Sequence, residues 1–455
     1  MIDREIRCAS VLTPVGWIDN ARICIDEKGY ITSISEFPDG ESRVGLKGHV
    51  VPGMPNLHSH AFQRQMAGLT ETGGGKADSF WTWREAMYGL AGRITPEALQ
   101  AIAALLQVEM LEAGYTACAE FHYVHHQADG QPFDNVAQMS DALIEAADGS
   151  GMALTLLPVL YCRSGFASDT VSTHQLRFYN SPEQFMQLLS ACRELIRSRP
   201  LHRLGIAPHS LRAVSQDQLR SVLDASEARG LPVHMHIAEQ PAEVEECLSV
   251  LGARPVDWLL DHFAVDPAWC LVHATHMLHS ELDRAAASGA TAGLCPTTEA
   301  DLADGYFEAD RWLDQGGAFG IGSDSNLRVS VAEELRVLEF GCRLRTHRRN
   351  VLARNDRSCG RTLYQGAALG GAQALGQPIG RIEAGCRADL VELDAHHPLL
   401  DGRCHDSVID TWLFAGGSAM VRSVWVAGVQ CVSEGRHKGR ERIESSGRQA
   451  MRALL

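Results

Sequence analysis

The sequence predicts an α/β protein: a TIM-type (β/α)8 barrel with a smaller β-sandwich domain built from both termini. Three observations lead there. From about residue 50 to about residue 370, strand-like apolar runs alternate with longer helical patterns, the texture of parallel strands joined by helices. About eight such runs fall in this stretch, and a complete eight-stranded barrel typically takes ~250 residues. Both ends of the chain carry short β runs broken by turns instead. The boundaries that follow are 1–50 with 375–455 for the β-rich domain and 51–374 for the barrel. A doubly wound open sheet is the competing architecture. It is disfavoured because no glycine-rich phosphate fingerprint follows the first strand.

Taken in order, residues 6–12 and 21–25 have β character, and Lys28-Gly29 turns the chain into a third run at 30–34. Barrel strands are expected at 48–54, 117–121, 153–159, 204–207, 232–237, 270–273, 291–295 and 318–322. Each is short, apolar and bounded by turn or helix-start residues. Helices are expected at 96–113, 182–198, 216–229, 242–251 and 331–346. The first of these opens on Thr95-Pro96 and closes at Gly114, a proline start and a glycine stop. After residue 380 the β texture returns, with a turn and strand ending at 393 and another strand at 421–428. The last fifteen residues read as helical or frayed. Residues 72–76 read as a loop.

Bulk composition narrows the function classes. With 45% hydrophobic and 21% charged residues, the chain is ordinary for a globular enzyme. A net charge of −15 argues against nucleic acid or an anionic membrane as a main partner. No apolar run reaches the ~20 residues of a membrane helix. The first ten residues lack a basic segment followed by a long apolar one, so no signal peptide is expected. The 13 cysteines are scattered without a C-x-x-C pair, which suits free thiols in a reducing cytoplasm. A homodimer is the ordinary state for a cytoplasmic enzyme of this size.

Four polar clusters stand at or just past strand ends: His58-Ser59-His60, His234-Met235-His236 with Glu239, His273, and Ser323-Asp324. Residues i and i+2 of a strand face the same side, so His58 and His60 can share one ion, and so can His234 or His236. Spacing does not choose between the last two. Glu239, just past its strand, can reach a metal-bound water without ligating the metal. Taken singly, each residue has an ordinary explanation as a core histidine, a first-turn glutamate or a turn aspartate. Together they span about 266 residues, close to the length of a barrel, and all lie where that fold places its chemistry. Three histidines and one aspartate leave a coordination position for water, which marks a catalytic site rather than a closed structural one.

These residues resemble the amidohydrolase superfamily: His58-Ser59-His60 after Pro-Gly-Met-Pro-Asn-Leu, the later histidines, Asp324, and the tail segment Gly385-Cys386-Arg387-Ala388-Asp389-Leu390-Val391. No lysine follows the fourth strand as a bridging ligand, as in the one-metal branch with many deaminases. Within it, Trp81-Thr82-Trp83-Arg84, His122-Tyr123-Val124-His125-His126 and Cys295-Pro296-Thr297-Thr298-Glu299 resemble the formimidoylglutamate deiminase family. The resemblance implies one zinc ion held by His58, His60, His236 and Asp324, and it selects His236 over His234. It implies that Glu239, His273 and Asp324 handle protons and that Gln63, Arg84, Tyr123, His209 and Arg212 hold the substrate. The implied reaction is hydrolytic deimination of N-formimino-L-glutamate to N-formyl-L-glutamate and ammonia, by a metal-activated hydroxide, in histidine degradation. Such a dianionic substrate gives Arg84 and Arg212 a purpose, since arginine pairs with a carboxylate through two parallel hydrogen bonds. Two other readings are weighed. A nucleobase deaminase on the same scaffold would have no use for two cations. A non-catalytic barrel kept as a binding scaffold would be expected to lose ligands. Trp81 and Trp83 read as packing residues, and His125, His126, His396 and His397 receive no role.

Overall fold

A computed structural model of the chain describes residues 4–37, 45–71, 79–225 and 229–454. The loop expected at 72–76 lies outside them. In chain order the strands are β1 (Arg4–Thr13), β2 (Gly16–Ile25), β3 (Ile31–Glu36), β4 (Leu46–Pro52), β5 (Met54–Ser59), β6 (Tyr115–His122), β7 (Ala153–Leu160), β8 (Arg203–Leu204) and β9 (Ala207–Pro208). They continue as β10 (Val233–Ile237), β11 (Trp269–His273), β12 (Thr291–Leu294), β13 (Ala318–Ile321), β14 (Leu390–Leu393), β15 (Val421–Val426), β16 (Val429–Ser433) and β17 (Arg436–His437).

Strands β5 to β13 form one parallel sheet in which β13 returns to pair with β5. The two short strands β8 and β9 share one position beside β7. Bridges from Ile206 to Val233 and from Ser210 to His236 join that position to β10 and close the ring. The result is the expected eight-position barrel. Its strands are buried on both faces, as β6 and β7 show along their full lengths, because helices cover the outside.

The other sheet takes strands from both ends of the chain in the order β17-β16-β15-β14-β4-β1-β2-β3. Its own apolar cluster includes Val11, Ile23, Ile25, Val50, Leu390 and Trp425. Here one sequence expectation needs correction. The run at 48–54 is not a barrel strand. Residues up to Pro52 belong to β4, paired with β1 and β14, and the barrel begins with Met54. Gly53 is the crossing point. A Cβ there would lie 2.3 Å from the Thr116 side chain, so only glycine lets the chain pass this close from one sheet to the other.

Helix Cys359–Leu375 was not anticipated, because glycines at 360, 366, 370 and 371 weaken its helical pattern. They allow it to lie directly on the barrel: a Cβ on Gly370 would stand 2.0 Å from the Phe319 carbonyl oxygen. The end of this helix meets the floor of the barrel, where Thr155 Oγ1 donates to Leu375 O at 3.0 Å and His234 Nε2 to Ala374 O at 2.8 Å. Among the described residues no helix is long and apolar enough to cross a membrane.

A candidate metal centre at the C-terminal ends of the barrel strands

The side chains of His58, His60, His236 and Asp324 meet at the C-terminal ends of the strands, with one ligand-capable atom of each within 4.8 Å of all the others. His58 sits inside β5, His60 just after it, His236 in β10, and Asp324 after β13. All four are buried, at 0–5% exposure. His58 Nε2 lies 3.2 Å from His60 Nε2 and 3.1 Å from His236 Nε2, and Asp324 Oδ1 lies 3.4 and 3.3 Å from the Nε2 atoms of His58 and His60. Tetrahedral ligands on bonds of about 2.0–2.1 Å stand roughly 3.3 Å apart, which is the spacing found.

The outer edges of two of the rings fix their tautomers. His60 Nδ1 donates to Phe121 O at 2.8 Å and His236 Nδ1 to His209 O at 3.1 Å. Each Nε2 lone pair therefore points inward, as in a metal-binding histidine. Burial lowers the basicity of all three rings, His58 to about 3, so each is a neutral donor. Burial alone would raise the Asp324 carboxyl. The adjoining edges of His58 and His60, with His273 beside them, outweigh it and hold the group well below the ordinary carboxylate range. Three lone pairs and one carboxylate at these distances repel one another unless a cation lies between them, so the donor set fits a divalent metal.

His273, at the end of β11, stands beside this cluster. Its Nε2 is 3.8 Å from both Glu239 Oε1 and Asp324 Oδ2, and its Nδ1 is 3.2 Å from Glu299 Oε1. Burial opposes a charge on this ring, but Glu239, Glu299 and Asp324 outweigh it and lift its pKa to about 10. Burial pushes the Glu239 carboxyl up, against the pull of His273 and Arg212. Ala238, His273, Ala274 and Asp324 all adopt φ between 45° and 67°. Left-handed backbone in residues with side chains is costly and gathers at functional sites. Here these residues turn the chain at or just past the ends of β10, β11 and β13, beside the cluster. The Glu243 carboxylate braces one such turn by accepting from the N–H groups of Ala238 and Glu239 at 3.1 and 3.3 Å.

A cavity opens above the cluster, and His60, His236, Glu239, His273 and Asp324 form its base. Gln63, Arg84, Tyr123, His209 and Arg212, the other residues singled out from the sequence, all line it as well. Gln63 Nε2 donates to the Tyr123 hydroxyl at 2.8 Å, and the buried Gln63 Oε1 has no hydrogen-bond partner among the described residues. Arg84 Nε and Arg212 Nη1 are likewise buried and without a partner among the described residues. Arg84 lies over the Trp81 ring, 4.5 Å from its centroid; Trp81 is exposed rather than part of the core, whereas Trp83 packs against the core as expected.

His234 faces the barrel interior like His236 but two residues deeper, at the floor, which resolves the choice the spacing left open. His125 and His126 hydrogen-bond to backbone carbonyls of Val159 and Tyr179. Sequence reasoning assigned no role to Glu299, nor to Tyr88, Tyr161 and Phe178 on the cavity wall. The three aromatics carry no local signal that separates them from core residues.

The model of the Amidohydrolase family matches residues 49–431. The formimidoylglutamate deiminase of Pseudomonas aeruginosa is 50% identical over 445 residues, covering 98% of each chain. Among solved structures, an amidohydrolase from Brucella melitensis superposes with a TM-score of 0.94 at 47% identity over 100% of both chains. An adenosine deaminase from Xanthomonas campestris with bound zinc shares the fold, with a TM-score of 0.82 at 21% identity over 99% of this chain and 98% of its own. With the family match covering both the barrel and the returning sheet, this chain belongs to the amidohydrolase family.

Proposed function

We propose that this chain is a metal-dependent iminohydrolase that converts N-formimino-L-glutamate and water to N-formyl-L-glutamate and ammonia. The observation that carries this reading is the pair of guanidinium groups, Arg84 and Arg212, on the wall of the same cavity as the His3Asp cluster, each with a buried nitrogen lacking a hydrogen-bond partner among the described residues. An unpaired buried donor costs about 1–3 kcal/mol, and a carboxylate answers it. A small substrate with two carboxylates and a hydrolysable C=N bond matches two cations beside a hydrolytic centre. A neutral, flat nucleobase does not. The 50% identity to the deiminase of P. aeruginosa, across nearly the whole chain, supports the same choice.

One zinc ion is the proposed cofactor, held by His58, His60, His236 and Asp324. Iron, manganese or cobalt would accept the same donors. Such an ion supplies Lewis acidity and lowers the pKa of water to about 7. The remaining work belongs to the side chains. Asp324, kept ionised, accepts a proton from the attacking water. His273, held cationic, donates a hydrogen bond to the oxygen arriving at the formimino carbon. Glu239 passes a proton to the departing nitrogen. The water oxygen ends in the formyl group, the C–N bond to the imino nitrogen breaks, and both water protons leave with ammonia. Arg84 and Arg212 hold the carboxylates, while Gln63, Tyr123 and His209 orient the formimino-amino portion.

The deciding assay measures ammonia release by the zinc-loaded protein from N-formimino-L-glutamate, guanine, cytosine and adenosine. Turnover of the first alone is expected. Turnover of a base with none of the formimino compound would overturn the proposal.

A further inference from the structure

His60 and His236 anchor their Nδ1–H groups on uncharged peptide carbonyls, of Phe121 and His209. His273 does not. Its Nδ1 lies 3.2 Å from a carboxylate oxygen of Glu299, which is itself 5% exposed. The same oxygen accepts the Cys295 N–H at 2.8 Å, so the carboxylate is fixed to the backbone just after β12. The opposite edge of the ring, Nε2, stands equidistant at 3.8 Å from Glu239 and Asp324. One imidazole thus links a remote carboxylate to the two carboxylates that face the cavity. A carboxylate behind a histidine sets which nitrogen carries the proton and supports positive charge on the ring. A ligating imidazole needs the first property but not the second. A histidine that donates to a developing oxyanion needs both.

We infer that Glu299 is a positioning residue for His273, holding the ring by its Nδ1 edge so that Nε2–H stays aimed into the gap between Glu239 and Asp324. The inference rests on the hydrolytic reading above. Glu299 touches neither substrate nor metal in this arrangement and acts only through His273. Glu299→Gln preserves shape and an acceptor for the Cys295 N–H while removing the charge. It should lower kcat on the order of 10²-fold, the usual worth of a well-placed proton-handling group, with KM within about twofold and metal content unchanged.

Two measurements separate this role from general structural support. In the His273→Ala background, Glu299→Gln should cost nothing further, because residues acting as a unit are non-additive. A full additional loss there would overturn the inference. In protein labelled with 15N-histidine, the downfield Nδ1–H resonance of His273, assigned by its loss in His273→Asn, should move upfield in Glu299→Gln. An unmoved resonance would equally overturn the inference. This spectroscopic arm does not depend on the substrate. Wild-type protein that fails to release ammonia from N-formimino-L-glutamate would instead count against the proposed reaction alone.

Discussion

Arg212 is 8% exposed, and among the described residues the one carboxylate within 4 Å of it is Glu239, at 3.9 Å. A buried guanidinium with so distant a partner is prepared for an anion that arrives with the substrate. Replacing it with methionine removes the charge and keeps the bulk. The expected loss is about 2–4 kcal/mol of substrate binding, the scale for truncating one side of a buried charge pair, or on the order of 10²-fold in kcat/KM. It should fall mainly on KM, and an analogue lacking one carboxylate should be penalised far less than the full substrate. Equal losses for both compounds would remove Arg212 from the carboxylate site. Asp324→Ala makes a different prediction. It removes the one anionic donor of the cluster, so metal content by atomic absorption should fall well below one ion per chain and turnover should vanish. Both residues were legible in the sequence because each sits in a distinctive local string. Glu299 was not. Its meaning comes from a contact with His273, 26 positions earlier, and a glutamate in a helix's first turn has an ordinary reason to be there.

At the scale of elements, the barrel depends on its seam. Strands β13 and β5 share a single regular pair, Ile321 with Asn56, plus a bridge between Ser59 and Asp324. Side chains reinforce it. Asn326 Nδ2 donates to His60 O at 3.0 Å and Asp324 O at 2.9 Å, while its Oδ1 accepts from Ser323 Oγ at 2.6 Å. Asn326 also sits at φ 59°, a conformation asparagine tolerates better than most residues. Asn326→Ala should therefore cost about 2–4 kcal/mol, from stranded buried groups and backbone strain together, and should loosen metal binding because two ligands flank the seam. An unchanged metal dissociation constant would separate the seam from the site. The floor makes a pH prediction. Burial lowers His234 from 6.5 to about 4, so the folded state keeps this ring neutral where the unfolded chain protonates it. Stability from this group is complete above pH 6.5 and is lost as pH falls toward 4 and below. The full effect is on the order of 3 kcal/mol. His234→Gln, which retains a donor for the Ala374 carbonyl, should flatten the decline in denaturation midpoint between pH 6.5 and 4, and a parallel decline in both proteins would exclude His234 as its source. The strand–helix alternation made the barrel readable, yet the β4–β5 junction was misplaced. Two consecutive strands separated only by Gly53 look in sequence like one strand, and nothing local reveals that they enter different sheets.

The whole molecule is tied together where the last helix meets the barrel. Helix Arg440–Leu454 follows the last strand of the terminal sheet and crosses back onto the barrel helix Pro96–Glu112, where Ile443 clusters with Leu105 and Val108. Arg440 Nη1 pairs with Glu112 at 2.8 Å. Further along, Gln65 Nε2 donates to Met451 O at 3.0 Å, and Gln65 lies in the turn Ala61–Met66 that also presents Gln63 to the cavity. From sequence this segment read as helical or frayed, since its polar composition hides a stripe at 443, 447 and 451 with glycine in the middle. That glycine permits the contact: a Cβ at 447 would fall 2.9 Å from Leu105 Cβ. Gly447→Leu should push the helix off its seat at about 1–3 kcal/mol, the usual cost of overpacking, and lower the thermal midpoint by a few degrees. The displacement also pulls on the Gln65 turn, so KM should rise more than kcat falls while the metal, held from β5, β10 and the end of β13, stays bound. Loss of metal together with stability would mean that the helix supports the barrel as a whole. An unaltered midpoint would mean that it bears no weight, and the route from the chain's end to the cavity wall would fail with it.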